Sequence, residues 1–422
     1  ANCWNGIKDG NEGGIDCDGV CPSVCPKEPN CYDGIKNQGE TGIDCGGPCK
    51  IDCCSNNKHD FWLGEESTDC GGKCKPCEWV NTGGPKGGRD LALIFDPQNP
   101  NLIYTAIYPN VGNEFGGVFR SFDKGETWQD ISNGVVNKDV WDLKMDPTNN
   151  KILYVGNQIG EVYKTVDAGE NWQKIKNVDP LGGDKGRVHA LAINPNNTSI
   201  IFAGSKHGIL YKSTDAGMHW KSIGKQEGLD TEGVITTITI DPRNDKTMYL
   251  STGYWDVWEM GDQKEGDGIF KSTDGGETWR RINNGLVGSR NGKENQPLRN
   301  FPKLAMHLDN SNILYTINEL AGVEEGNGLF KSTDAGETWK RVGFFNGGSA
   351  ITFDPKNHDT MYVGYDRNVY KIVNDRIVKQ LSDQGLVART IGLFIDPTDS
   401  NTIFRTSYSA GIAKTTDGGK TW

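Results

Sequence analysis

Acidic and aromatic side chains suited to a carbohydrate site are concentrated in one glycine-rich insertion. Tyr254, Trp255 and Trp258 lie beside Asp256 and Glu259. Aromatic rings stack on the apolar faces of sugars, and a glycosidase needs two carboxyl groups flanking the scissile bond. We therefore take Asp256 and Glu259 as catalytic acids if the chain is an enzyme, and the three aromatic residues as ligand contacts.

Arginines recur at one position of a repeated pattern. Arg89, Arg187 and Arg389 each lie seven residues before the Asp or Asn that ends a predicted strand, and Arg299 lies slightly earlier in its own repeat. Converging guanidinium groups bind a carboxylate through paired hydrogen bonds. The pattern predicts a ligand site at the mouth of a channel.

Asp139 takes the arginine position in the second repeat and is a third candidate acid, with Asp142 close to it. Tyr108 begins another long insertion and is a further candidate ligand contact. A purely structural interpretation remains open, in which each arginine ties one repeat to the next through carbonyl groups or Asp139. The aromatic residues would then only pack their own loops.

The twelve cysteines all lie within the first 77 residues, in three sets of four with nearly equal spacing. Dense, even cysteines in small repeats are typical of disulfide-bonded modules made in an oxidising compartment. We expect two disulfides in each of the modules 1–30, 31–53 and 54–77, with zinc ligation as the alternative. The three sets are Cys3, Cys17, Cys21, Cys25; Cys31, Cys45, Cys49, Cys53; and Cys54, Cys70, Cys74, Cys77.

Oxygen-bearing side chains recur at four positions in each of these modules. Such clusters in tight loops are what Ca²⁺ requires, although turns favour the same residue types, and both interpretations remain open. The candidate ligands are Asn5, Asp9, Glu12, Asp16; Asp33, Asn37, Glu40, Asp44; and Asn56, Asp60, Glu66, Asp69.

Charge and hydropathy exclude two classes of partner. The formal net charge is -11 and no long basic run occurs, which argues against nucleic acid. No run of about 18 apolar residues occurs, which argues against a membrane-spanning segment. The cysteines and the absence of an initiator Met predict a secreted chain whose signal peptide has been removed. No motif for an organic cofactor is present.

From residue 78 onward the chain repeats every 45 to 60 residues. Each repeat has an alternating strand ending near Asp-Pro, two further strands, a Ser-x-Asp-x-Gly-x-Thr-Trp phrase and a short fourth strand. Four antiparallel strands per repeat predict an all-β fold, a seven-bladed β-propeller over residues 78–422. The phrases centre on Asp123, Asp167, Asp215, Asp274, Asp334 and Asp417.

The seventh repeat ends at Trp422 without a fourth strand, and residues 78–84 resemble the missing one. We expect this segment to close the ring. The alternative gives it to a neighbouring molecule, which would build a filament by strand exchange.

The six phrases are Asp-box, or BNR, repeats, and residues 78–422 resemble the Asp-box β-propeller superfamily of sialidases, xyloglucan hydrolases and sortilin-type receptors. The cysteine modules resemble modules of secreted microbial proteins. Three departures stand out: the Arg-Ile-Pro phrase of sialidases is absent, only one propeller is present, and Glu114 stands near the place of the catalytic Asp of xyloglucan hydrolases.

From these departures we expect a non-catalytic extracellular or cell-surface protein. Its propeller would present a loop face to a glycan or protein, and it would self-associate into a layer or filament. The alternative is a glycoside hydrolase of the xyloglucanase or sialidase type acting on an extracellular polysaccharide.

Overall fold

A computed structural model describes residues 89–109, 116–177, 186–231, 233–253, 267–286, 303–318, 328–343, 350–365, 367–381, 389–407 and 411–422. The chain divides into two units, Ala1–Asn81 and Thr82–Trp422. The cysteine modules, their candidate Ca²⁺ ligands and the segment 78–84 lie outside the described residues, so their disulfides, metal site and domain bounds stay predictions. No helix within the described ranges is long and apolar enough to span a bilayer.

The described strands form seven antiparallel sheets, six of four strands and the last of three, and the described residues also include a 3₁₀ helix, Lys225–Glu227. The first four sheets consist of β1 (Arg89–Phe95), β2 (Ile103–Tyr108), β3 (Gly117–Ser121), β4 (Gln129–Asp130); β5 (Val140–Asp146), β6 (Asn149–Asn157), β7 (Glu161–Thr165), β8 (Gln173–Asn177); β9 (Val188–Ile193), β10 (Ile201–Ser205), β11 (Leu210–Ser213), β12 (Lys221–Ile223); and β13 (Val234–Ile240), β14 (Met248–Gly253), β15 (Gly268–Ser272), β16 (Arg280–Arg281).

The remaining sheets repeat the same order. They consist of β17 (Lys303–Met306), β18 (Leu314–Asn318), β19 (Gly328–Ser332), β20 (Lys340–Gly343); β21 (Ala350–Phe353), β22 (Thr360–Tyr365), β23 (Asn368–Val373), β24 (Arg376–Leu381); and β25 (Thr390–Asp396), β26 (Asp399–Ser407), β27 (Ile412–Thr415).

The first strands of successive sheets lie side by side around a ring, and β25 of the last sheet lies against β1 of the first. This arrangement confirms the predicted seven-bladed β-propeller, in which the first strand of every blade lines a central channel. Alternating side chains of each blade pack against the adjacent blades, so most of the apolar core lies between sheets.

Each inner strand ends in a turn that its own sequence dictates. Asp96 Oδ1 accepts the backbone N–H groups of Gln98 and Asn99 at 2.8 and 3.2 Å. An Asp or Asn before proline favours such a turn because its side-chain oxygen accepts hydrogen bonds from backbone N–H groups two and three residues later. The recurring Asp-Pro pairs therefore mark the ends of the inner strands, as predicted.

The Asp-box phrase forms the turn between the third and fourth strands. Asp274 Oδ1 accepts the Ser272 hydroxyl at 2.8 Å and the Thr278 N–H at 3.0 Å. Ser272 Oγ in turn accepts the Gly276 N–H at 2.9 Å, at a glycine with φ of 84°. These bonds lie within the seven residues from Ser272 to Thr278, so the turn is encoded locally, and all six predicted boxes form it.

The Trp that follows the box links neighbouring blades at two positions. Trp172 Nε1 donates to the Ile131 carbonyl at 2.7 Å, and Trp339 Nε1 donates to the Ile282 carbonyl at 2.7 Å, each in the preceding blade. Both indoles are buried, so the apolar ring adds to the core while its polar atom stays hydrogen-bonded.

The sixth blade lacks an Asp box and closes its outer hairpin with two residues, Asn374 and Asp375, at φ of 49° and 63°. Asp and Asn tolerate this left-handed conformation. Asp375 also accepts Tyr315 Oη at 2.7 Å and Lys331 Nζ at 2.6 Å from the preceding blade. The fourth and fifth blades are joined in the same way. Lys271 Nζ of the fourth blade lies 2.8 Å from Glu337 in the Asp box of the fifth.

Candidate functional site

Side chains from three consecutive blades meet at the face where the inner strands begin. The ring of Tyr108 lies 4.7 Å from that of Trp141, and Trp141 lies 4.3 Å from the ring of His189. The Arg187 guanidinium carbon is 5.7 Å from the centre of the Trp141 ring. We call these four residues the aromatic cluster.

The strands position this cluster in a simple way. Tyr108 is the last residue of β2 and is half-buried, whereas Trp141 and His189 are the second residues of β5 and β9 and are buried. The register of β5 shifts between Val140 and Asp142, a bulge at the rim of the channel. Bulges re-aim side chains where a strand ends, and this one lies beside Trp141.

Hydrogen bonds hold Trp141 and its neighbour Asp142 in place. Trp141 Nε1 donates to Gln158 Oε1 at 2.6 Å. Asp142 Oδ1 accepts Lys144 Nζ at 2.6 Å and the Leu143 N–H at 2.9 Å, and Asp142 Oδ2 accepts the Leu191 N–H at 2.7 Å. With both oxygens engaged, Asp142 acts as a link between the second and third blades.

Positive charge surrounds the cluster. Burial holds the pKa of His189 well below its usual range, and nearby Arg187, Lys206 and Lys303 lower that pKa further. The imidazole is therefore neutral at pH 7, and it adds an uncharged ring to the cluster.

The predicted site residues fall into two groups. Arg187 and Tyr108 belong to the aromatic cluster, Asp139 is half-buried just before β5, and Arg389 is half-buried just before β25, where burial lowers the pKa of its guanidinium. Arg89 begins β1, but its side chain is outside the described set. Outside the described residues lie Arg299, Tyr254, Trp255, Trp258, Asp256 and Glu259.

Sequence reasoning missed Trp141 and His189, although a signal was present. Each lies five residues before the Asp or Asn that ends its inner strand, and two residues after the arginine position occupied by Asp139 and Arg187. An alignment of the repeats that continued two positions beyond the arginine would have shown Trp141 and His189 at equivalent positions.

Below the cluster, the inner strands enclose a cavity of about 260 Å³ in the central channel. Apolar side chains form most of its wall, and Asp142, Lys144 and Lys303 supply its charges. No group of three or more His, Cys, Asp or Glu side chains within the described ranges is placed to hold a metal ion.

Comparisons with known proteins give one family model and several related enzymes. Residues 116–227 match the family model described as Sortilin, neurotensin receptor 3. The chain is 31% identical over 192 residues to Xyloglucanase Xgh74A of Acetivibrio thermocellus, a match that covers 44% of this chain and 19% of that protein. It is 29% identical over 191 residues to a xyloglucanase of Hypocrea jecorina, covering 44% of this chain and 20% of the relative. The chain thus spans about a fifth of the length of these relatives.

Solved structures resemble the propeller at lower identity. The GH74 xyloglucanase of Xanthomonas campestris superposes with a TM-score of 0.58 at 16% identity, covering 80% of this chain and 53% of that one. The GH74 enzyme of Niastella koreensis gives 0.59 at 19% identity with the same two coverages. YCF48 from Cyanidioschyzon merolae gives 0.51 at 14% identity, covering 78% and 96%. At these identities the structural likeness concerns the fold alone.

These relatives correct the functional expectation drawn from the sequence. The preference for a non-catalytic binding or structural protein is wrong, because the curated proteins that match in sequence are xyloglucanases. Because these relatives are xyloglucanases, they favour the alternative expectation of a glycoside hydrolase. The expectation that the chain is not an enzyme has no support.

The resemblance to the Asp-box propellers, by contrast, is confirmed by the family-model match, by the xyloglucanase relatives and by the hydrogen-bonded boxes themselves. The described part of this chain is a seven-bladed Asp-box β-propeller.

Proposed function

We propose that this chain is the propeller of a secreted glycoside hydrolase that acts on xyloglucan or a related polysaccharide. The observation that carries the proposal is the 31% identity to a xyloglucanase over 192 residues. The fold alone would not support it, because propellers of one architecture serve many activities.

The aromatic cluster supports the proposal by its chemistry. Tyr108 is half-buried and belongs to a row of rings that continues through Trp141 to His189. A flat apolar surface beside hydrogen-bonding groups suits a pyranose ring, which presents C–H groups on its faces and hydroxyls at its edge. We assign Tyr108 as the sugar-stacking residue and Arg187 as the residue that orients the cluster.

Catalysis requires two carboxyl groups, about 5–5.5 Å apart in retaining enzymes and about 6.5–9.5 Å apart in inverting ones. We propose that they come from Asp139, Asp256 and Glu259. Asp142 is a poor candidate because the N–H groups of Leu143 and Leu191 and the Lys144 ammonium already occupy its oxygens.

Residues 1–77 complete the proposal. We propose that the three cysteine modules are disulfide-bonded, bind Ca²⁺ and belong to an extracellular enzyme, where such modules compensate for their small cores. Segment 78–84 supplies the outer strand of the last blade in this proposal.

The test is a hydrolysis assay of the purified chain on xyloglucan, mixed-linkage glucan and a sialylated oligosaccharide, with released reducing ends as the readout. Xyloglucan should be cleaved and the sialylated substrate should not. Asp139→Asn, Asp256→Asn and Glu259→Gln are compared with Asp230→Asn, an exposed aspartate in the connection before β13 that pairs with Lys225.

At least two of the three variants should lose activity by about 10²-fold or more, whereas Asp230→Asn should match the parent chain. Absence of turnover by the parent chain, or equal activity in all variants, would overturn the proposal. The anomeric configuration of the first product then reports the separation of the two carboxyl groups.

A further inference from the structure

Seven equivalent positions, one in each blade, ring the central channel. Each lies four residues before the Asp, Asn or His that ends its inner strand, and each lines the cavity. Five of the seven are small or neutral, and two carry charge. Around the ring they are Ala92, Asp142, Ala190, Thr237, Lys303, Ala350 and Gly392.

The two charged members of this ring differ in their partners. Asp142 is saturated by two backbone N–H groups and by Lys144, which also balances its charge. Within the described residues, no hydrogen-bond acceptor or carboxylate contacts the Lys303 ammonium. Lys303 thus places a positive charge in the channel without a direct counterpart.

The strands that flank Lys303 are uncharged where they line the cavity. Its flanking strands contribute Thr236 and Thr237 from β13 and Ala350 and Ile351 from β21, none of them charged. Burial therefore lowers the pKa of Lys303, an effect that Asp142 opposes. Lys303 is half-buried and lines the cavity, so an anion that enters the channel meets the ammonium in a less polar setting than at the surface, where water weakens the attraction.

The volume and the lining of the cavity limit the size and the chemical class of the anion. Its volume of about 260 Å³ lies just below the range of about 300–1,000 Å³ typical of drug-sized ligands, which suits a group of about the size of one monosaccharide. Leu93, Ile94 and Phe394 give it a mainly apolar wall. A phosphate dianion needs several donors, whereas one ammonium and a threonine suit a single carboxylate with a compact body.

We propose that the central channel is a binding site for a small monocarboxylate, with the carboxylate on Lys303 and the body of the ligand against the apolar wall. The cavity shares Trp141 and His189 with the aromatic cluster, whereas the candidate acid Asp139 does not line it. Carboxylate binding is measured without hydrolysis, so failure of this site and failure of the hydrolase proposal are distinguishable. A sugar acid and an aliphatic acid share the required chemistry.

The experiment titrates the full chain with glucuronate, hexanoate, glucose and inorganic phosphate by calorimetry at pH 7. Lys303→Met removes the charge and keeps the length of the side chain. Lys340→Met is the matched control, since Lys340 is an exposed lysine on β20. One of the two carboxylates should bind, and the better binder identifies the sugar or the aliphatic source.

Lys303→Met should weaken carboxylate binding at least tenfold, and Lys340→Met should stay within twofold of the parent chain. Equal binding of glucose and glucuronate, tighter binding of phosphate, or undiminished binding in Lys303→Met would overturn the proposal, as would no binding at all.

A second measurement observes the Lys303 ammonium of the parent chain directly. Reductive ¹³C-methylation of the lysines gives each one an NMR signal, and Lys303→Gln assigns the signal of Lys303. Addition of the better-binding carboxylate should shift that signal and leave the Lys340 signal unchanged. A Lys303 signal that does not move would contradict the site.

Discussion

Lys414 Nζ in the last blade lies 2.5 Å from Glu126 Oε1 in the Asp box of the first blade. A second pair runs in the opposite direction, with Lys124 Nζ of the first blade 2.6 Å from Asp396 Oδ2 of the last. Together with the packing of β1 against β25, these pairs join the two ends of the propeller. The ring is therefore closed by side chains at the seam, independently of any outer strand.

The seam pair of Lys124 and Asp396 should contribute more to the free energy of unfolding than an exposed ion pair does. The Asp396 side chain is fully buried, whereas Lys124 is 29% exposed, so Lys124→Met leaves a buried carboxylate without its counter-ion. We expect a loss of about 2 kcal/mol in the free energy of unfolding, measured by urea denaturation. The matched control is Lys138→Met, which breaks an exposed pair between the connection before β5 and Asp130 of β4 and should cost at most about 1 kcal/mol. Equal losses in the two variants would contradict this account.

The Asp boxes should make the propeller sensitive to acid. The hydrogen bond from Thr338 Oγ1, with that from the Thr338 N–H, outweighs the opposing effect of burial and lowers the pKa of Asp334 to about 2. The pKa values of four other box residues are also lowered to about 2, namely Asp123, Asp167, Asp215 and Asp274.

A carboxylate with a lowered folded pKa contributes stability that is complete above its ordinary pKa and is lost as the pH falls toward the folded value. The melting temperature should therefore fall steeply between about pH 4 and pH 2, with an uptake of about four protons by these five groups on unfolding at pH 3. Asp334→Asn should reduce that uptake by about one proton, and Asp230→Asn should leave the contribution of the boxes intact. A melting temperature independent of pH in this window would refute the prediction.

Substitution of two glycines by alanine distinguishes the cost of a steric clash from the cost of backbone strain. Gly285 has a φ of 88°, and a Cβ at this position would lie 2.1 Å from the Trp339 carbonyl oxygen of the next blade. Gly275 has a φ of 76° with no atom near its Cβ position. We expect Gly275→Ala to cost about 1–2 kcal/mol from strain alone and Gly285→Ala clearly more, measured by chemical denaturation. A smaller loss for Gly285→Ala would show that the interface between the blades yields without cost.

Tyr108→Ala should weaken oligosaccharide binding because it removes the half-buried ring of the aromatic cluster that we assign to sugar stacking. Loss of about 1 kcal/mol of stacking corresponds to about a fivefold rise in Kd for a xyloglucan oligosaccharide in calorimetry. Phe122→Ala is the control, since Phe122 is exposed beside the Asp box on the opposite face and should have no effect. Equal effects of the two variants would exclude a specific role for Tyr108.

Removal of Ca²⁺ tests the cysteine modules. If the acidic positions bind Ca²⁺ at about 100 times its Kd, the metal stabilises the folded modules by about 2.7 kcal/mol. A chelator should then lower a melting transition of the full chain, and Asp44→Asn should weaken the response. Identical melting curves with and without chelator would rule out a structural Ca²⁺ site.

The blade count and the Asp-box turns could be predicted because their causes lie within a few residues. Ser272, Asp274, Gly276 and Thr278 satisfy one another inside one phrase, so the local sequence is sufficient for the turn. The missing box of the sixth blade was also visible, because Asn374 and Asp375 replace the longer phrase.

The site depends on contacts between distant residues, which no local pattern specifies. Tyr108, Trp141 and His189 belong to three blades, and a bulge in β5 beside Trp141 leaves no mark in the alternation of the strand. The seam pair of Lys414 and Glu126 is separated by 288 positions. By itself the sequence determined the repeats, their turns and their number, since these follow from short-range hydrogen bonds. Only the tertiary structure decided which side chains share the channel, because closure of the ring brings equivalent positions of different blades together.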